Sequence, residues 1–238
     1  MKNFSAKIAL ACLVAGSYLF SACNSIKGVG PLVITSRQVN EIKSIDLEMH
    51  ANVYLIKGDT QSVVISAQQN ILDVLKTEVK GDKLIINSSE SISVTQPVEL
   101  WITVKNIEDI ELSGSGNIAS TTEFTSDKIT VDLSGSGKIS LVIAAEKFSG
   151  DISGSGDIYL KGKVSKADLD ISGSGNIFAN DCAVDKCKID LNGSGDAKIN
   201  VLSELNASID GSGSILYSGN PQKVKSDVNG SGHISRSE

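Results

Sequence analysis

The sequence predicts an all-β protein, a parallel β-solenoid in the form of a right-handed β-helix with coils of about 19 residues. Three observations support this prediction. The triplet GlySerGly occurs seven times at spacings of 18 to 21 residues, apolar and polar residues alternate around each triplet, and the strand-forming residues Ile and Val are plentiful. A chain that winds once per repeat would place each triplet above the last, about 4.8 Å away, like neighbouring parallel strands.

The repeat element is represented by residues 169–179, LeuAspIleSerGlySerGlyAsnIlePheAla. Its alternation puts every second residue, including both glycines of the triplet, on the inward face of the predicted coil. Because glycine has no side chain to bury, the coil is expected to bend sharply or to approach another wall closely there. The next apolar residue then resumes the core, which predicts a stacked column of Ile118, Ile139, Ile158, Ile177, Ala197, Ile215 and Ile234. A flexible GlySer linker would lack such a column.

Residues 37–110, which precede the first GlySerGly triplet, resemble a degenerate version of the same coil. Residues 46–53 can be laid on residues 132–139, with Met49 and Ala51 in place of the two glycines. The match predicts that these residues stack on the repeats that follow.

Other segments of this region are typical of strands. A second candidate coil covers residues 65–71, IleSerAlaGlnGlnAsnIle, and strands are predicted at 83–87 and 100–104. Residues 37–110 are therefore interpreted as degenerate solenoid coils that lead into the GSG-repeat solenoid of 111–238. A separate small β domain over 37–110 is the alternative.

Residues 1–22 have the pattern of a secretion signal. Lys2 and Lys7 accompany an apolar run from Ile8 to Phe20, and small residues follow. The run is shorter than the roughly 20 residues that a membrane-spanning helix needs. We therefore expect the segment to be removed, and it is excluded from the predicted fold.

PheSerAlaCys at residues 20–23 resembles the lipobox of bacterial lipoproteins, with Phe20 where Leu is usual. The resemblance implies that Cys23 is diacylated and becomes the new amino terminus, followed by a tether over residues 23–36. An unmodified cysteine at a secreted amino terminus is the alternative. Asn24 is not the Asp that retains many lipoproteins in the inner membrane, which favours a lipid anchor in the outer membrane, on either its surface or its periplasmic face.

The composition argues against several classes of function. The formal net charge is −6 and no basic cluster is present, which argues against a nucleic-acid partner. Aromatic residues make up only 4% of the chain, so a flat stacking platform for sugars or bases is hard to build. A zinc site is disfavoured because His50 and His233 are the only histidines.

Two cysteines, Cys182 and Cys187, remain once the signal and Cys23 are set aside. The oxidising envelope permits a disulfide between them. Two buried free thiols are the alternative, because sequence spacing alone does not establish the geometry that a disulfide requires.

An acidic residue stands three places before the first glycine in six of the seven repeats, as Glu111, Asp132, Asp151, Asp170, Asp190 and Asp227, with Ser208 in the remaining one. The alternation of inward and outward residues places this column on the outward face of the coils. Repulsion between neighbouring carboxylates about 5 Å apart would cost about 1 kcal/mol per pair even at the dielectric constant of water. A Ca²⁺ ladder would offset that cost, because hard cations take carboxylate oxygens. Side-chain splay, water and salt would also offset it on a plain solvated face.

A second outward column stands seven places before the glycines and consists of Lys128, Lys147, Lys166, Lys186 and Lys223. It lies four residues from the acidic column, or about 13 Å along an extended strand. Direct ion pairing between the two columns is therefore not expected, unless a corner shortens the gap.

The lipobox, the segment of 43–58 that contains LysSerIleAspLeu and AsnValTyrLeuIleLysGly, and the SerGlySerGlyAsnIle units are together similar to one family. It is the family called "putative auto-transporter adhesin, head GIN domain", and the resemblance covers about residues 40–220. It implies a secreted or lipid-anchored protein of Bacteroidetes with a parallel β-solenoid fold and an adhesin role. It implies no established activity and no catalytic residues.

These observations favour a cell-envelope lipoprotein that acts as a non-catalytic, adhesin-like binding or surface-scaffold module, with a glycan or protein ligand at the cell surface. The alternative is a glycan-processing lyase or hydrolase on a β-helix scaffold, since paired carboxylates are plentiful. Catalysis needs one pair that its environment makes different, whereas these acids recur in nearly equivalent settings. Unpaired strands at the solenoid ends would also permit a homo-oligomer.

Overall fold

The computed structural model describes residues 25–237, so the predicted signal peptide and Cys23 lie outside the described residues. The described chain consists almost entirely of strands, with one short helix. The elements are β1 (Ile26–Lys27), β2 (Leu32–Arg37), β3 (Ser44–Leu47), β4 (Asn52–Lys57), β5 (Ser62–Gln68), α1 (Gln69–Leu72), β6 (Leu75–Lys80), β7 (Lys83–Ser88), β8 (Ile92–Ser93), β9 (Glu99–Val104), β10 (Asp109–Leu112), β11 (Asn117–Ser120), β12 (Phe124–Gly135), β13 (Lys138–Gly154), β14 (Asp157–Gly173), β15 (Asn176–Gly193), β16 (Asp196–Gly211), β17 (Ser214–Ser218), β18 (Lys223–Gly230) and β19 (His233–Arg236).

The predicted parallel β-solenoid is confirmed, with stacked coils of about 19 residues and about seven turns. Strands β12 to β16 pair in parallel, each with the next along the chain. The first glycines of the triplets lie directly above one another, so that Gly135 pairs with Gly154, Gly154 with Gly173, and Gly173 with Gly193. The repeat period in the sequence is therefore the length of one coil.

One continuous hydrophobic core runs through the stack, and the predicted column from Ile118 to Ile215 is buried. Within β13, Ile139, Leu141 and Ile143 are buried, and the phase then shifts so that Phe148 and Ile152 are buried. This shift marks a corner of the coil in addition to the one at the triplet. We call the outward side chains just after a triplet the leading face, and those of the last seven residues before the next triplet the trailing face.

The two glycines of each triplet have different roles. Gly154 has a φ of +139°, a conformation that residues with a side chain rarely adopt. Gly156 is limited by space, because an added Cβ would lie 2.6 Å from the carbonyl oxygen of Gly137 and 2.6 Å from Cδ2 of Leu133. That carbonyl accepts the backbone hydrogen bond of Asp157, at 3.0 Å. The close approach predicted for the triplet is thus the contact that joins successive coils.

The amino-terminal strands continue the same stack. Strand β3 pairs in parallel with β10, and β4 with β11, so residues 46–53 lie in the register predicted from the repeat. The backbone of Met49 lies beneath Gly114, and the carbonyl of Ala51 lies beneath Gly116. The proposed equivalence of Met49 and Ala51 with the two glycines is therefore confirmed.

The prediction of a second coil at residues 65–71 is wrong. These residues form the end of β5, which runs antiparallel to β2 and β9, and then most of α1. A coil here would place the large side chain of Gln69 where the repeat allows almost no side chain, so the chain reverses instead. The coil position next to β3 and β4 is taken by β7 and β9, which confirms the strands predicted at 83–87 and 100–104.

The two ends of the stack differ. At the amino-terminal end, the antiparallel strands β2, β5 and β6 extend the sheet beyond β7 and β9. At the other end, every residue of β18 is exposed, and the side chains of Val224 and Val228 are 45% and 40% exposed. Within residues 25–237, β18 pairs with no strand other than β16.

We expect Gly156→Ala to lower the free energy of unfolding by about 3 kcal/mol, because the new methyl group would push two coils apart. Gly81→Ala is the control: Gly81 also has a positive φ, +67°, but an added Cβ there meets nothing within 4 Å. Its cost should be about 1 kcal/mol, from the backbone conformation alone. Urea unfolding followed by circular dichroism measures both, and equal losses would contradict the close-approach argument.

Candidate binding surface

The acidic column lies on the trailing face, in register from coil to coil. Asp132 pairs with Asp151, Asp151 with Asp170, and Asp170 with Asp190. The full column also includes a residue that the sequence analysis had not assigned to it, and reads Asp46, Glu111, Asp132, Asp151, Asp170, Asp190, Ser208 and Asp227. The predicted stacking is confirmed, while binding of a cation by the column stays a prediction.

Burial and neighbouring charges raise the pKa of three carboxyl groups of this column. Burial raises the pKa of Asp132 above its usual range, and the charge of Glu111 raises it further. The pKa of Asp151 is raised first by burial and then by the charges of Asp132 and Asp170. The pKa of Asp46 is also raised, and burial is again the leading cause. The ionised forms of these three members of the column, Asp46, Asp132 and Asp151, are therefore disfavoured in the folded state.

A lysine that the sequence analysis missed neutralises one end of this column. The Nζ atom of Lys83 lies 2.5 Å from Oε1 of Glu111 and 3.8 Å from Oδ2 of Asp109. Carboxylate oxygens of Asp109, Glu111 and Asp132 lie within 4.8 Å of one another, and two of these three acids, Asp109 and Glu111, pair with Lys83. Lys83 lies on β7, which is separated from β10 by β3, and only the long side chain brings it to the acids.

A second ion pair lies further along the same face. Lys188 contacts Asp190 at 2.5 Å and Asp168 at 3.8 Å. Between these two ion pairs, Asp132, Asp151 and Asp170 have no ion pair within the described part of the chain. The charge on the column is thus compensated at Glu111 and Asp190 and left uncompensated on the three coils between them.

The lysine column is also in register. Lys128, Lys147, Lys166 and Lys186 stack in order. The next coil supplies Glu204, which lies 3.7 Å from Nζ of Lys186, and Lys223 follows in register with Glu204. Among residues 25–237, no ion pair joins this column to the acidic column, as the predicted separation requires. The trailing face therefore has two parallel rows of opposite charge.

A groove of about 510 Å³ follows the lysine column. Its rim consists of the lysines together with polar residues of the neighbouring column, including Ser149 and Asn206. Its floor consists of Phe148, Ala167 and Cys187, which are almost completely buried. The groove crosses the coils of β12 to β16.

Several aromatic side chains lie together on the leading face, although such residues are scarce in the sequence. The rings of Tyr54 and Trp101 stack at 5.7 Å, and those of Tyr159 and Phe178 stack at 4.8 Å. Lys138 lies 4.7 Å from the centre of the Tyr159 ring. Because the rings cover one another, they present edges to the outside, and the predicted lack of a flat stacking platform is consistent with this arrangement. Tyr159 and Phe178 each stand five places after a first glycine, a signal that the sequence analysis passed over.

The disulfide considered for Cys182 and Cys187 is not formed, and both cysteines are buried free thiols. Four residues of β15 lie between them, and an extended chain of that length spans more than the Cα spacing of a disulfide. Burial raises the pKa of Cys182 to about 11 and that of Cys187 to about 12. Both thiols are therefore protonated and serve as core side chains.

Comparison with known proteins finds one family and several solved structures. The family described as "Putative auto-transporter adhesin, head GIN domain" matches residues 42–221. A crystal structure of a "putative adhesin" from Bacteroides fragilis is 24% identical, with a TM-score of 0.85, and the match covers 90% of this chain and all of that one. A "putative lipid binding protein" from Parabacteroides distasonis is also 24% identical, with a TM-score of 0.74 over the same shares. A "putative adhesin" from Parabacteroides distasonis is 22% identical, with a TM-score of 0.70 and the same coverage. No curated protein matches, and at these identities the structures show the shared fold.

We expect Asp151→Asn to raise the free energy of unfolding at pH 7 by about 0.5 kcal/mol, the size of an exposed like-charge contact. The folded-state pKa of Asp151 is raised, so the charge destabilises the fold above that pKa. The gain should therefore fade as the pH falls through the raised folded-state pKa and below the ordinary value of 3.8, where the native side chain is protonated in both the folded and the unfolded state. Urea unfolding at several pH values measures it.

Asp59→Asn is the matched control, because it removes one exposed carboxylate outside the column. An equal gain in the control would mean that net charge, not stacking, causes the effect. The same proteins test the calcium prediction. A rise in the thermal midpoint with Ca²⁺ at matched ionic strength, present in the native protein and reduced by Asp151→Asn, would show that the column binds the ion.

Proposed function

The chain belongs to the family "Putative auto-transporter adhesin, head GIN domain", and we propose that it is a cell-envelope lipoprotein acting as a non-catalytic, adhesin-like binding module. The observation that supports a binding role most strongly is the register of the coils. Each turn presents the same kind of side chain at the same place on the trailing face. Such a surface repeats at the spacing of the strands, about 4.8 Å, and suits a long ligand that makes the same contact many times.

The electrostatics of the acidic column support a non-catalytic role. An acid and a base that work together need environments that push their pKa values apart. Asp46, Asp132 and Asp151 are instead shifted in the same direction by the same leading cause, burial. The repeated coils thus place these acids in the same kind of environment, which does not separate their pKa values into those of an acid and a base.

One feature favours the alternative, a glycan-processing enzyme. The group of Asp109, Glu111 and Asp132 around Lys83 is unlike the rest of the column. An enzyme would form new reducing ends or unsaturated products from a polysaccharide. That activity would be lost in Glu111→Gln and kept in Asp170→Asn, which changes an acid of the repetitive part.

The adhesin-like function is tested with a deletion strain and with purified protein. We expect the deletion strain to attach less to surfaces coated with the glycan, host-matrix or envelope polymer that the purified protein binds in a screen. Complementation with the native gene should restore attachment. Unchanged attachment together with an empty screen would overturn the proposal.

Attachment to the outer membrane through Cys23 is part of the proposal. No helix of the described residues is long and apolar enough to cross a membrane. We expect Cys23→Ala to move the protein from the membrane fraction to the soluble fraction, while Ser25→Ala, which leaves the cysteine in place, should not. Mass spectrometry of the native amino-terminal peptide would show the acyl chains directly.

The exposed strand β18 leads us to propose a homodimer as well. Paired antiparallel with a second copy, β18 would place Val224 opposite Val228 and Lys225 opposite Asp227, so that both apolar and charged contacts are self-complementary. The pairing would also satisfy the open edge of the strand.

A charge exchange tests this dimer. Lys225→Asp would place two acids opposite each other and is expected to give monomers in analytical ultracentrifugation. Adding Asp227→Lys restores opposite charges and should restore the dimer. A native protein that stays monomeric at high concentration, or a double variant that stays monomeric while the native protein dimerises, would contradict the proposed pairing.

A further inference from the structure

The groove on the trailing face has three lysines without ionic partners. Lys128, Lys147 and Lys166 stand on successive coils, and no salt bridge reaches them from the described residues. Their backbones are about 4.8 Å apart, so three like charges follow one another at the spacing of parallel strands. Like charges directly opposite on a sheet are destabilising, and a bound anion would remove that cost.

The groove also differs in charge from the protein as a whole. Five lysines and two carboxylates line it, whereas the chain has a formal net charge of −6. Glu204 neutralises Lys186 at one end, so the uncompensated positive charge is confined to three coils. A local positive strip on an acidic protein concentrates anions there and repels them elsewhere.

The floor of the groove narrows the choice of anion. Phe148, Ala167 and Cys187 form an apolar strip, but each is almost completely buried and closes the groove from below. An acyl chain would find no cavity to enter. No exposed aromatic ring lines the groove, so it offers nothing on which nucleic-acid bases could stack. A sugar chain fits both features, because it needs neither a deep cavity nor an exposed ring, and its charged substituents can reach the lysines of the rim.

We propose that this groove binds an acidic polysaccharide laid along the solenoid axis, with carboxylate or sulfate groups on Lys128, Lys147 and Lys166. The strand spacing is close to the length of one sugar unit, so one charged group per sugar can meet one lysine per coil. The neighbouring hydroxyl and amide groups of Ser149 and Asn206 are placed to hydrogen bond with sugar hydroxyls. This assigns a ligand class to the binding role proposed above and rests on that role for its biological meaning.

The test uses purified protein and a charged polymer with an uncharged counterpart. We expect dextran sulfate to bind, more weakly as the NaCl concentration rises, and unsulfated dextran not to bind. Lys147→Glu should raise the half-saturating concentration of dextran sulfate about tenfold or more, the loss of one to two charge-assisted contacts. The variant should fold at least as well as the native protein, because an acid then alternates with Lys128 and Lys166.

Lys76→Glu is the control, since it makes the same change in net charge on the exposed side of β6. It should leave dextran sulfate binding unchanged. Equal weakening by both variants, or no binding of dextran sulfate to the native protein, would overturn the proposal. Binding that appears only with vesicles of phosphatidylglycerol would assign the lysines to a lipid surface and would also overturn it.

This result is separate from the test of the adhesin-like function. If Lys147→Glu abolishes polymer binding and the deletion strain still attaches, the site stands and the adhesin role fails. If the deletion strain loses attachment while Lys147→Glu leaves dextran sulfate binding unchanged, the groove assignment fails and the adhesin role stands.

Discussion

The hydrogen-bonded approach of one coil to the next at the GlySerGly corner is the constraint on which the rest of the structure depends. At Gly156 the neighbouring carbonyl is so close that a methyl group has no room. Because the same approach recurs at each triplet, the coils cannot slip by a residue without placing a side chain in that contact. A slip of one residue would also turn every inward side chain outward. The glycines thus set the register, and the apolar columns add the stability.

A fixed register makes each outward position of the repeat into a column, with electrostatic consequences. Any charged residue at such a position meets a copy of itself about 4.8 Å away. The chain compensates part of this cost in three ways: Lys83 reaches the acids from two strands away, Glu204 interrupts the lysine row, and Ser208 interrupts the acidic row. The coils between keep their like charges, and it is on these coils that the groove lies. The charges that stay uncompensated therefore lie in the middle of the trailing face, where a ligand of opposite charge can bind.

The sequence was sufficient to predict the features that follow from the repeat. Period and parity gave the coil length, the buried Ile column, the two charged columns and the equivalence of Met49 and Ala51 with the glycines. The sequence was not sufficient where a contact depends on which strands become neighbours in the fold. Residues 65–71 have the alternation of a coil, but the competing antiparallel partners β2 and β9 are visible only in the fold. The ion pair of Lys83 with Glu111 joins residues 28 positions apart through the length of a side chain, which no period encodes. The free thiols were undecided for the same reason, because pairing depends on three-dimensional distance.

The difference between the two faces follows from what each column repeats. On the leading face the column changes from coil to coil, so that Tyr159 and Phe178 stack on each other and Lys138 covers the outer ring. These residues satisfy one another within the protein, and little of their interaction energy is left for a ligand. On the trailing face the column repeats the same charge, and Lys128, Lys147 and Lys166 cannot satisfy one another. A partner of opposite charge gains more from the second face, because binding removes a repulsion that folding alone leaves in place. The repeat that makes this fold easy to build therefore also leaves it with a surface that an external polymer can complete.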